Sequence, residues 1–217
     1  MPDKDFTHMV FLLDRSGSMQ SIKSDIIGGF AAMIESQRAV SGRCNVSLYQ
    51  FDTDFEAVYV DLPLAEVPPL DLKPRGGTAL LDAMARTVAT TKGRIAELPQ
   101  AQRPGSIHFG IMTDGHENAS VEFDRPAIRK LINAVEKDSD WLVSYLGSNQ
   151  DAVEVGAGLG ISPDRSLTFT SATVDVAMSA YSEMTTRARR MRSRGEDAEA
   201  IRTASVFSPT QRKDAGR

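Results

Sequence analysis

MVFLLDRSGSM, residues 9–19, joins an almost unbroken apolar run to a loop rich in oxygen-bearing side chains. Met9 to Leu13 lacks the alternation of a half-exposed strand. It predicts a strand buried on both faces of a parallel sheet and ending at Asp14. Downstream, Ile22, Ile26, Phe30 and Met33 recur on one face of a helix over about 21–40. Gly28 and Gly29 weaken that helix by roughly 1 kcal/mol each relative to Ala, and close packing against the sheet accounts for them. Residues 45–52 and 57–62 read as a second and third strand. Pro63, Pro68, Pro69 and Pro74 then mark an irregular connection. A helix opens near Thr78 and stops before Pro99, with Leu81, Met84, Ala85, Val88 and Ile95 inward. Strands at 106–113, 141–146 and 166–169 alternate with helices after Asp124, over 149–159 and over 174–192. The alternation predicts an α/β domain with a mostly parallel, six-stranded sheet and helices on both faces. Ligands of such sheets bind beyond the carboxyl ends of the strands, where strand order reverses.

The composition narrows the function classes. The chain has 217 residues, is 41% hydrophobic and 25% charged, and carries a formal net charge of −4. That balance excludes collagen-like, disordered and coiled-coil classes and argues against a general nucleic-acid binder. The charge is uneven. Residues 187–217 hold nine Lys/Arg against four Asp/Glu, so an acidic body carries a basic end. Cys44 is the sole cysteine, which forbids an intrachain disulfide and fits a reducing compartment. The apolar run at 9–13 is too short for a signal peptide or a membrane span, so a cytoplasmic, non-membrane protein is expected.

The chemistry gathers at strand ends. Asp14, Ser16 and Ser18 follow the first strand, Thr78 follows the Gly76-Gly77 turn, and Asp114 follows the fourth strand in Thr113-Asp114-Gly115. Five hard oxygen side chains on three loops suit a small divalent cation, Mg²⁺ first. Two carboxylates neutralise its charge, hydroxyls fill positions without adding more, and at least one position stays open. Simple helix capping by Ser, Thr and Asp is the alternative for each residue taken alone.

The D-x-S-x-S pattern at 14–18, the Thr after Gly-Gly and the T-D-G at 113–115 resemble a von Willebrand factor A domain with its metal-ion-dependent adhesion site, over about residues 6–194. FLLDRSGSM, GGTALLDAM and IMTDGHENAS are similar to stand-alone bacterial and phage members. The resemblance implies a Rossmann-like fold and a Mg²⁺ (or Mn²⁺ or Ca²⁺) held by Asp14, Ser16, Ser18, Thr78 and Asp114. It implies a Glu or Asp of a partner protein completing the shell, and partners such as an AAA+-type ATPase. The chain is then a non-catalytic binding module. A Mg²⁺-dependent phosphohydrolase is the alternative from another class, but Ser16 stands where such enzymes place an acid/base Asp.

The remaining candidates are weaker. His116, Glu117, Asn149 and Gln150 are expected on the partner-binding rim, against the reading of exposed loops and a helix cap. Asp52 and Asp54 read as a solvated loop rather than rim. Cys44 with His8, His108 or His116 is dismissed as a nucleophile–base pair, because His8 and Cys44 precede their strands at the opposite edge. Gly156 to Gly160 fails the dinucleotide spacing and reads as a flexible helix end. Arg187, Arg189, Arg190, Arg192 and Arg194 read as a solvated helix end, with binding of acidic or nucleic-acid partners as the alternative. Residues 195–217 read as a polar basic tail, although Val206-Phe207 could dock on the body.

Overall fold

In the computed structural model, residues 2–138, 141–148 and 150–217 are described. Six strands form one sheet: β1 (Asp3–Asp14), β2 (Arg43–Phe51), β3 (Phe55–Pro63), β4 (Pro104–Thr113), β5 (Trp141–Ser148) and β6 (Ser166–Phe169). Their spatial order is β3-β2-β1-β4-β5-β6. All pairs are parallel except the β2–β3 hairpin at the edge. The chain builds outward from β1 in one direction, then returns to its other side with β4. The carboxyl ends of β1 and β4 therefore flank the reversal of strand order.

The side-chain alternation of β1 sorts the helices into two layers. Met9, Phe11 and Leu13 face α1 (Lys23–Arg38) and α5 (Val174–Ser193). Val10 and Leu12 face the cluster built by α2 (Leu80–Glu97), α3 (Arg125–Asp138) and α4 (Ala152–Gly158). Both faces are covered, which is why the run reads as continuous apolar sequence. The expected helix faces are buried: Ile22, Ile26, Phe30 and Met33 beside α1, and Ile128, Ile132 and Val135 in α3.

Several local expectations change. β1 begins at Asp3, so His8 lies inside it, buried, with Nε2 2.8 Å from Ser47 Oγ. Burial lowers the His8 pKa to about 4, opposed by the Asp61 charge. Cys44 also lies within its strand, and burial pushes its thiol up to about 11. The packing partner of Gly29 is a helix rather than the sheet: a Cβ there would lie 2.8 Å from Met178 Cγ of α5. No atom lies within 4 Å of such a Cβ at Gly28. Gly156 is closely packed, since a Cβ would come 2.4 Å from Ser166 Oγ on β6.

Residues 195–217 form α6 (Ala198–Ala204) and α7 (Pro209–Ala215), each N-capped, by Asp197 and Ser208. Phe207 and Ala215 join the α1/α5 core and Ile201 packs with Leu142 and Ala188. Arg187 donates to Ala204 O and Val206 O, both at 2.8 Å. Arg189 is buried and donates to Gln37 O, Gln37 Oε1, Val40 O and Gly42 O at the end of α1. Neither arginine belongs to a solvated helix end. Each occupies orphan carbonyls that another segment presents to it.

Candidate functional site

Three loops meet beyond β1 and β4. Asp14 closes β1 with 0% exposure. Its Oδ1 accepts the Ser16 N–H at 2.6 Å, and its Oδ2 accepts the Thr113 hydroxyl at 2.5 Å. The Ser16 and Ser18 hydroxyls are 3.0 Å apart, and Ser18 Oγ donates to Asp114 Oδ1 at 2.6 Å. Thr78 enters from the loop before α2. A Cβ built on Gly115 would lie 2.9 Å from Thr78 Oγ1, 3.5 Å from Ser18 Oγ and 3.7 Å from Asp14 Oδ2. Oxygens from separate loops thus close on residue 115 so tightly that a side chain there would have to displace Thr78. The structure brings all five candidate metal residues to one place.

The donor set is two carboxylates and three hydroxyls. Among the described residues, no group of three or more His, Cys, Asp or Glu is arranged for a metal. Hard oxygens of this kind fit Mg²⁺ better than a softer ion. Burial pushes the Asp14 carboxyl up to about 6, the Asp114 charge adds to this, and the bonds from Thr113 and Ser16 oppose it. Burial raises Asp114 as well, with Ser18 opposing.

A frame of polar contacts fixes the loops. Asp52, expected in a solvated loop, is 1% exposed. Its Oδ2 accepts Arg15 Nε and Arg75 Nε, each at 2.8 Å, and its Oδ1 accepts the Asp54 N–H at 2.6 Å. Burial alone would raise its pKa, but the Asp54 N–H and the two guanidiniums hold it below the usual carboxylate value. Arg15 also pairs with Glu56. Asp54 is exposed, as expected. On the other side, Asp82 in the first turn of α2 accepts the N–H groups of Val121, Glu122 and Phe123. Sequence reasoning gave no role to Arg15 or Asp82 and read the buried Asp52 as solvated. The acidic residue just inside a helix start was the only available signal for Asp82.

The expected rim residues divide. His116 is exposed beside Gly115. Gln150 Nε2 donates to Gly115 O at 3.2 Å, which places it at the site. The Glu117 carboxylate turns inward, accepting from Leu81 N, Ala119 N, Ser120 N and Ser120 Oγ. It fastens the loop to α2 instead of facing outward. Asn149 lies outside the described residues. Val121 (90% exposed) and Phe123 (40%) project from the same loop, two of the three large apolar side chains exposed among the described residues.

Comparison of the sequence with models of known families finds no match, and none is found among curated proteins. The fold does have counterparts among solved structures. The von Willebrand factor type A protein from Catenulispora acidiphila is 16% identical with a TM-score of 0.53, the match covering 83% of this chain and 42% of that one. Proximal thread matrix protein 1 from the mussel byssus, whose structure has a zinc-occupied MIDAS motif, is 12% identical with a TM-score of 0.58, covering 83% and 46%. The vWF domain of the type V pili tip protein Mfa5 from Porphyromonas gingivalis is 11% identical with a TM-score of 0.55, covering 82% and 94%. The chain spans less than half the length of the first two. At these identities the likeness establishes the fold: six strands, mostly parallel, in the von Willebrand factor A arrangement.

Proposed function

We propose that this chain is a metal-dependent protein-binding module that docks an acidic side chain of a partner on a divalent cation. The observation that carries this reading is the convergence of Asp14, Ser16, Ser18, Thr78 and Asp114 beside Gly115. Asp14 and Asp114 supply the negative charge, and the three hydroxyls fill positions without adding more. Mg²⁺ is the first choice, with Mn²⁺ or Ca²⁺ compatible with the same donors. The bound ion supplies an open coordination position attractive to a carboxylate in a partly dry cleft. Around it, His116 and Gln150 form a polar rim. Val121 and Phe123 are exposed on the segment that follows Asp114 and offer a further apolar contact. A cytoplasmic setting and an AAA+-type partner belong to the same reading, and among the described residues no helix is long and apolar enough to cross a membrane.

Affinity capture with the wild-type chain in Mg²⁺, in chelator, and with Asp14→Ala tests it. Proteins captured in Mg²⁺ should be lost in both other arms. An identical set in all three would overturn the reading.

A further inference from the structure

Asp52 sits between two of the three loops that carry the candidate ligands. Arg15, which donates to its Oδ2, stands between Asp14 and Ser16 in sequence. Arg75, which donates to the same oxygen, stands three residues before Thr78. The backbone repeats the connection. Asp52 O accepts the N–H of Ala79, the residue after Thr78, at 2.9 Å, and Arg75 N donates to Arg15 O at 2.7 Å. Gly17 N donates to Gly76 O at 3.2 Å. Gly76 has φ +68°, and a Cβ there would lie 3.2 Å from Thr53 Oγ1 and 3.3 Å from Asp52 Cβ, so the turn packs closely against residues 52–53.

We propose that Asp52 is the positioning residue of the metal site, clamping the 14–18 loop to the 75–79 loop through Arg15 and Arg75. The inference rests on the metal reading above. Two physical effects act in the same direction. The carboxylate fixes the spacing of Asp14, Ser16 and Ser18 relative to Thr78. It also neutralises a buried guanidinium that would otherwise stand next to a site built for a dication. Removing it leaves, among the described residues, Glu56 as the ion-pair partner of Arg15 and Asp54 as that of Arg75, the latter approach a loose 3.7 Å. Partners beyond the direct ligands set metal affinity by about 10–100-fold in metalloproteins generally.

Titration of Mg²⁺ alone into the full chain by calorimetry, with thermal unfolding measured in chelator, tests the clamp. Asp52→Asn keeps the shape and is expected to weaken the Mg²⁺ Kd about tenfold or more. Arg75 is 59% exposed, so Arg75→Gln tests the same bridge without leaving a buried charge unpaired, and should weaken Kd several-fold. A purely structural role would lower the unfolding temperature in chelator and leave Kd unchanged in both variants. That result would overturn the proposal while leaving the metal site standing. Failure of the wild-type chain to take up Mg²⁺ would instead overturn the metal reading itself, and the clamp with it.

Discussion

Oxygens from separate loops close on Gly115, whose φ is not in the left-handed region that demands glycine. A methyl group there would sit 2.9 Å from Oγ1 of the buried Thr78, inside van der Waals contact, so Gly115→Ala should lower the chelator-state stability by about 1–3 kcal/mol and, by displacing Thr78, weaken Mg²⁺ binding by tenfold or more. Wild-type affinity in this variant would show that the ion does not sit there. Asp14 gives a second test. Its folded carboxyl titrates at about 6 against 3.8 unfolded, so the fold without metal holds the proton more tightly than the open chain does. The contribution of this carboxyl to the stability of the metal-free fold is thus greatest below about pH 4 and falls, by on the order of 3 kcal/mol, as pH rises through about 6. Mg²⁺ needs the ionised carboxylate, so its affinity should fall as pH drops through the same window. Calorimetry at pH 5 and pH 7.5 checks this; equal affinities would refute it.

At the level of elements, two buried charges hold segments that local sequence does not connect. Asp82 anchors the 121–123 backbone from the first turn of α2. Asp82→Ala strands three N–H groups at a cost of about 1–3 kcal/mol for each that finds no water. Hydrogen exchange at Val121, Glu122 and Phe123 should accelerate selectively, while β1 and β4 keep their protection. Arg189 ties α5 to the end of α1 by four bonds to residues 37–42. Arg189→Met should destabilise by about 3 kcal/mol or more, read as a lower denaturant midpoint, since the carbonyls it leaves are buried. Neither role was legible beforehand. Charged residues are exposed by default, and Arg189 finds Gln37 152 positions away.

For the molecule as a whole, the C-terminal helices are part of the core rather than an appendage. Ending the chain after Gly195 removes the buried side chains of Ile201 and Phe207. Each is worth about 1.5–3 kcal/mol, so the shortened chain should lose several kcal/mol and melt well below the full one. Under the proposed function, a bound metal would act in the opposite sense. Mg²⁺ at a hundred times its Kd should stabilise the full chain by about 2.7 kcal/mol, seen as a concentration-dependent rise in Tm. The basic character of 187–217 divides: Arg190 and Arg194 are exposed at the end of α5, as expected, while other arginines have internal partners. Arg187 and Arg189 serve internal carbonyls, and Arg212 pairs with Asp164.

The sequence alone determined the order of the strands and helices along the chain as far as α5, and the positions of the three oxygen-bearing loops. Both are written locally, in apolar runs of strand length and in hydroxyl and carboxylate residues at strand ends. Only the tertiary structure decided what those loops lean on. Asp52 meets Arg15 across 37 positions and Arg75 across 23. A carboxylate becomes a buried hub only where the fold brings two guanidiniums to it, and no periodicity or spacing in the chain encodes that encounter.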